Sequence, residues 1–535
     1  MHVEWPAAVE AALSPARTLA HDEAETYPEE AHRLLAEWGV TDHLIPLGQG
    51  GRWRSVEELL GLLRAVARRD PTVAFGFGPS LLGALPVWIA GTAEQRARAT
   101  RLVRGGGVAL ANTERAHGSD LLANQTRAEP CPGGYRLTGE KWLISNAARA
   151  DAWTVYARTG ETAGPRGHTL FLVEKAALDP AAWALLPRVP TLGLRGGDLG
   201  GLRFRDCFVP ASARVGEPGS AFDLVHRTLA VTRTLCAGLS LGAADAALRL
   251  VVAFADGRRL FGRSVAELPV PRSLLVGAFV DLLLAEVVAG VACRAVQAGR
   301  APLFFSALAK YWVPVRVEQI FRDLSVVLGA RFYLRSGHAG ALFQKLLRDA
   351  AIVSTFEGNT LVHLSLLAGQ LARLPDETPV AADEAFEDLL AAGREQPPLD
   401  PAGLRVRWRD EDAGLLALVD PTTRRCQRWR RRWARHRGEW TGRGGTLSPR
   451  VAGLVREYLD LYVAGLAGRF WRANRDRLGR FFRRGDWLRV GRRRLLAPAS
   501  VSPEETEGRI ARELSRRCAD GYPSCQTWST AKLPG

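Results

Sequence analysis

Methionine is almost missing from this chain: Met1 is the single one among 535 residues. Lysine is scarce too, with five against 67 arginines, the mark of a GC-rich coding bias rather than of function. Cysteine pairing is absent as a pattern. The seven cysteines (131, 207, 236, 293, 426, 518 and 525) are odd in number, scattered and never in C-x-x-C spacing. That excludes a disulfide framework and a zinc ribbon, and predicts reduced thiols, no metal site and a cytoplasmic protein. Residues 1–6 have no basic-then-apolar pattern, so no signal peptide is expected. No apolar run is long and uninterrupted. The most membrane-like stretch, Leu274 to Cys293, is broken by Asp281 and Glu286 and predicts a bundle helix, not a transmembrane segment.

What is present divides the chain into four parts, read as 1–104, 105–218, 219–374 and 375–535. Residues 1–104 are helical in pattern, with a capping box at Ser55 and Glu58. From Gly105 to about 218, short β-type runs alternate with turns: Gly134–Thr138, Ala152–Arg158, His168–Val173 and Leu202–Pro210. They predict an antiparallel sheet or barrel. Long apolar-periodic segments at 220–256, 273–299, 314–330 and 341–373 then predict a four-helix bundle. Pro375 to Pro379 reads as a linker, and 375–535 as a helical extension. The fold class is α+β, mainly α.

One carboxylate stands out. Glu357 lies after Thr355 and Phe356 and before Gly358, with no charged residue beside it. A carboxylate in dry surroundings has a raised pKa and suits general-base work near neutral pH. The competing reading is an acidic cap at a helix end.

Six motifs in order resemble those of the acyl-CoA dehydrogenase family. Thr113-Glu114 followed by Gly118-Ser119-Asp120 resembles its first signature, and Leu143-Ile144-Ser145 resembles the strand beside its flavin, although many relatives carry an aromatic residue at position 143. Leu192 to Gly197 with Phe204 to Pro210 matches the end of its β-domain. Arg233, nine residues before Gly242, matches an arginine near the thioester substrate; the acid usual three positions earlier is Ala230 here. Arg258 and Phe261-Gly262 resemble the motif whose arginine reaches the FAD of a neighbouring subunit. Finally, Arg348-Asp349-Ala350 and Phe356-Glu357-Gly358-Asn359 resemble the signature ending in the catalytic glutamate, with asparagine at 359 as in acyl-CoA oxidases. Pro269 and Val326 replace two customary glutamines.

The resemblance implies FAD as cofactor and the dehydrogenation of an acyl-CoA, or acyl-carrier-protein, thioester to the trans-2-enoyl product. Glu357 would take the α proton while the β hydride passes to flavin N5. It also implies FAD contacts at Thr113, Gly118, Ser119, Leu143, Ile144, Ser145, Arg258, Phe261 and Asn359. Substrate contacts would come from Ser119, Arg233 and Gly358. The partners implied are electron-transferring flavoprotein and further copies of the chain, as homodimer or homotetramer. An oxidase using oxygen, a flavoprotein without dehydrogenase activity, and an alkylation-response type that binds DNA are the alternatives on this fold. The last is suggested by residues 424–494, where 22 arginines face 5 acids and supply the whole net charge of +16. A solvated helix face is the favoured reading of that segment; nucleic acid, the phosphates of CoA, an acidic acyl-carrier protein and an anionic membrane are the alternatives.

Overall fold

The computed structural model describes residues 3–160, 164–374, 383–406, 412–417, 423–440, 447–497 and 502–523. The linker read at Pro375–Pro379 lies outside the described residues. Seven helices open the chain and end at Gly105. Ser55 caps helix Val56–Ala67 by accepting from the Glu58 N–H, and Asp70 caps helix Pro71–Ala90 through Thr72.

Eight strands follow: β1 (Val108–Ala111), β2 (Arg127–Cys131), β3 (Gly134–Ser145), β4 (Ala152–Arg158), β5 (His168–Glu174), β6 (Trp183–Leu186), β7 (Leu199–Pro210) and β8 (Arg214–Val215). They run in the order β6-β7-β3-β2-β4-β5-β8, with β1 beside β4. The sheet is mixed rather than antiparallel throughout, because β4 pairs in parallel with both β1 and β2. The hairpin-like spacing hid this: about forty residues separate β1 from β4, ample for a crossover. Leu137, Ile144, Trp153, Phe171, Leu202 and Phe204 fill the sheet's own core.

The bundle helices span Ala221–Gly257, Pro269–Gln297 and Pro302–Leu328, with the fourth position shared by His338–Ala351 and Thr360–Ala372. Two details differ from the periodicity. The third helix starts at Pro302 and runs through Pro314, since proline is accepted at its first turn and its packing carries the second. The fourth is interrupted where Glu357 lies. By length and composition, helices Pro71–Ala90, Ala221–Gly257 and Pro269–Gln297 could each cross a membrane; here their apolar windows are 72, 83 and 94% buried inside the protein.

The extension is not a separate lobe. Trp429, Tyr458, Tyr462, Phe482, Trp487, Ile510 and Leu514 belong to one continuous core with the bundle. Asp281, which interrupts the apolar run, is completely buried and receives two hydrogen bonds from Arg494 of the extension (3.2 and 2.7 Å). Glu286 pairs at 3.2 Å with Arg64 of the opening unit, whose guanidinium also clasps Asp245. Each acid that breaks the hydrophobic run is therefore matched by an arginine from a different part of the chain, as a buried charge requires.

Candidate active site

Glu357 sits in the eight-residue break between His338–Ala351 and Thr360–Ala372, and it does not cap a helix. Asn359 does, accepting from the Leu361 and Val362 N–H groups. Glu357 has φ +54°, the left-handed region, and Gly358 follows at +97°. A side chain at 358 would crowd His363 Nε2 and Val362, at 3.0 and 3.3 Å, besides being strained. The carboxylate faces the first bundle helix. Thr232 Oγ1 donates to Glu357 Oε2 at 2.7 Å, and Cys236, one turn on, also bonds to the carboxyl group. Between them, Arg233 Nε donates to the Glu357 carbonyl oxygen at 2.9 Å.

Burial pushes the Glu357 carboxyl above the usual carboxylate range; the Thr232 hydroxyl, the Lys310 ammonium and the Arg233 guanidinium pull the other way. Burial drives the Cys236 thiol far up and, with the same two cations, holds His363 down to about 2, so both are neutral. Thr232→Val is expected to raise the carboxyl further, because it removes a donor to the charged form. A kcat/KM profile against pH, whose acid limb moves upward in the variant, checks this.

The structure thus brings together Arg233, Glu357, Gly358 and Asn359 of the residues singled out by sequence. Thr232, Cys236 and Lys310 were missed. Thr232 and Cys236 flank Arg233 at helical spacing, a signal that periodicity offers once Arg233 is fixed; nothing local marks Lys310.

A second group lines the sheet edge. Thr113 and Trp142 exchange two hydrogen bonds, Thr113 Oγ1 to Trp142 O (2.6 Å) and Trp142 N to Thr113 O (3.0 Å). The β3–β7 register slips between Trp142 and Ile144, so Leu143 is the bulged residue, at φ +57° and 40% exposed. Ile144 points into the sheet core, in register with Gly200 of β7, and Ser145 is half-buried. Gly118 and Ser119 are exposed. Glu114, inside the first signature, serves the scaffold: it accepts from the Gln125 and Thr126 N–H groups, from Thr126 Oγ1 and from fully buried Lys141. Arg258 and Phe261 stand apart at the end of the first bundle helix, where a short hairpin leaves Phe261 91% exposed.

The Arg348-Asp349 pair is likewise a latch. Arg348 donates to Asp22 of the opening unit and to Leu192 O, while Asp349 accepts from the Leu194 N–H at 2.6 Å.

Residues 109–207 match the family "Acyl-CoA dehydrogenase, middle domain" and residues 219–372 the family "Acyl-CoA dehydrogenase, C-terminal domain". Among curated proteins, cyclohex-1-ene-1-carbonyl-CoA dehydrogenase of Geobacter metallireducens is 28% identical over 65% of this chain and 90% of its own length. A probable acyl-CoA dehydrogenase of Mycobacterium tuberculosis is 26% identical over 66% of this chain and 90% of its own length. Butyryl-CoA dehydrogenase from Megasphaera elsdenii superposes with TM-score 0.63 at 25% identity, covering 70% of this chain and all of that one. An acyl-CoA dehydrogenase from Bacillus anthracis, 18% identical, superposes with TM-score 0.69 over 95% of this chain and 92% of its own, so it shares the fold through the extension as well. Residues 109–207 and 219–372 of this chain thus carry the middle and C-terminal domains of the acyl-CoA dehydrogenase family, behind a helical opening unit.

Proposed function

We propose that the protein is an FAD-dependent dehydrogenase of acyl thioesters, with Glu357 as the base that removes the α proton. The observation that carries this reading is the poise of Glu357: a carboxyl raised by burial on a residue that is only partly exposed, held between Thr232, Arg233 and Lys310. A base whose pKa approaches the working pH combines a deprotonated population with a useful affinity for the proton.

The residues present fit the cofactor in chemical kind. Leu143 offers an exposed apolar surface on a bulge, Ser119 an exposed hydroxyl, and Arg258 an exposed guanidinium of the sort that grips a pyrophosphate from a second chain. Exposed Val326, where relatives carry glutamine, offers no hydrogen bond there. Bound FAD supplies the hydride acceptor. The chain's own part is to hold and deprotonate the substrate. The Glu357 N–H, which has no acceptor among the described residues, suits the thioester carbonyl oxygen as charge builds on it, while the carboxylate takes the α proton. Electron-transferring flavoprotein is the proposed acceptor of the electrons, and the substrate is an acyl-CoA rather than a carrier-bound acyl group. Anaerobic addition of a panel of acyl-CoAs to the purified protein tests this: bleaching of the flavin band by at least one supports it, and no bleaching by any rejects it.

A second reading concerns helix Arg424–His436. Cys426, Trp429 and Trp433 are buried, with the two indoles stacked at 5.6 Å, which fixes the helix on its neighbours. Arg424, Arg425, Arg428, Arg431 and Arg435 are exposed on the remaining surface, and Arg432 pairs with Glu457. A fixed basic face of this kind supports polyanion binding, DNA included, through counterion release. Retention on immobilised duplex DNA that weakens steeply between about 50 and 200 mM salt is the expected result; no retention at low salt removes this reading.

A further inference from the structure

The Glu357 turn is gripped from one side by two buried cations. Lys310, 1% exposed on the third bundle helix, directs Nζ at the carbonyl oxygens of Val353 (2.6 Å), Phe356 (2.5 Å) and Gly358 (3.3 Å), and lies over the Phe356 ring. Arg233 holds the carbonyl between the last two, that of Glu357. Successive carbonyls at 356, 357 and 358 are thus all bound to cations. In a trans peptide the C=O and the following N–H point in opposite directions. Lys310 on the Phe356 oxygen therefore turns the Glu357 N–H away from itself, and that N–H is left without an acceptor among the described residues. The same grip holds Glu357 at φ +54°, a conformation that an unsupported non-glycine residue rarely keeps.

From this geometry we infer that Lys310 is a positioning residue for the reaction: by clamping the carbonyls on both sides of Glu357 it aims the base and the outward N–H together. The inference rests on the reading of Glu357 as the base. Lysine suits the task better than arginine because a compact head with three donors can serve three convergent oxygens. Its charge also bears on the carboxyl. Facing Glu357 are Thr232, Arg233 and Cys236 from the first bundle helix, Lys310 from the third, and His363 from the helix after the turn. With Cys236 and His363 neutral, Arg233 and Lys310 are the two charges.

The test compares Lys310→Met with Lys310→Arg in the flavin-loaded protein, together with crystal structures of both variants and the parent. In Lys310→Met, kcat is expected to fall about 10²-fold with KM little changed, as when an oxyanion donor is lost. The acid limb of the pH profile should move upward, because the carboxylate loses a neighbouring positive charge. In the crystal, Glu357 should leave the left-handed region. Lys310→Arg keeps the charge, so the acid limb should return while the rate stays low. A lysine that merely fills space would lower the melting temperature and leave kcat per folded site, the acid limb and the turn as they were; that result overturns the proposal. Should the parent oxidise no acyl-CoA, the functional reading falls separately, and the crystal structures still decide whether Lys310 holds the turn. If Lys310→Met does not fold, Lys310→Arg decides through its rate and its turn.

Discussion

Glu357→Gln is expected to lower kcat on the best acyl-CoA by about 10²–10⁴-fold, the usual worth of a general base. Glutamine keeps the shape and can still accept from Thr232, so the turn should stand and substrate should still bind. The loss should therefore appear in kcat and in kcat/KM together, with little change in KM. The parent's kcat/KM should rise with pH through the carboxyl's raised pKa, above the ordinary glutamate value of about 4.3. The direction follows from the role: only the ionised form takes a proton, and burial delays ionisation to higher pH. Steady-state turnover across pH checks both statements, and a Gln variant with parental kcat would remove Glu357 from the mechanism.

Lys345→Met is expected to cost about 3–5 kcal/mol of stability, the range for breaking a buried ion pair from one side. Lys345 is 1% exposed and bonds Asp70 Oδ1 at 2.8 Å and Asp349 Oδ2 at 2.6 Å; Thr72 Oγ1 lies at 3.4 Å. Each carboxylate has a second duty. Asp70 caps helix Pro71–Ala90, and Asp349 holds the Leu194 N–H, where the backbone is left-handed at φ +51°. Methionine fills the volume but strands two carboxylates beside each other in a dry place. In the parent, the two acids hold the ammonium charged, while burial and the Asp70 charge push the Asp349 carboxyl up. In the variant Asp349, its ammonium partner gone, takes up a proton more readily folded than unfolded, so the deficit should shrink as pH falls towards its raised pKa. Chemical denaturation at two pH values measures this, followed at the first transition because a chain of this size unfolds in more than one step. Asp349→Asn should do proportionately less harm in the Lys345→Met background than in the parent.

A helix cap competed with the base at Glu357 on its neighbours alone; with the ordered motifs added, Glu357 could be picked out from the sequence. Its partners could not. Thr232 and Cys236 lie about 120 residues upstream and Lys310 about 45, and no local pattern ties a threonine or a lysine to a particular carboxylate. Other motif residues changed meaning once contacts were visible. Glu114 and Lys141 are a buried brace, and Arg348-Asp349 tie the opening unit and the 192–194 loop to the bundle. The arginine-rich extension looked like an appendage because its charge dominates its composition. Its apolar stripe, spread thinly among arginines, is what packs on the bundle.

By itself the sequence determined the order of helical unit, sheet, bundle and extension, and singled out Glu357 as the candidate base, because periodicity and short motifs are local properties of a chain. Tertiary structure alone decided which strands run parallel, which arginine neutralises Asp281, and which cations clamp the Glu357 turn. Those are choices among partners distant in sequence. They are settled by the cost of leaving a charge or a backbone oxygen buried without a partner, a cost that no single stretch of sequence expresses.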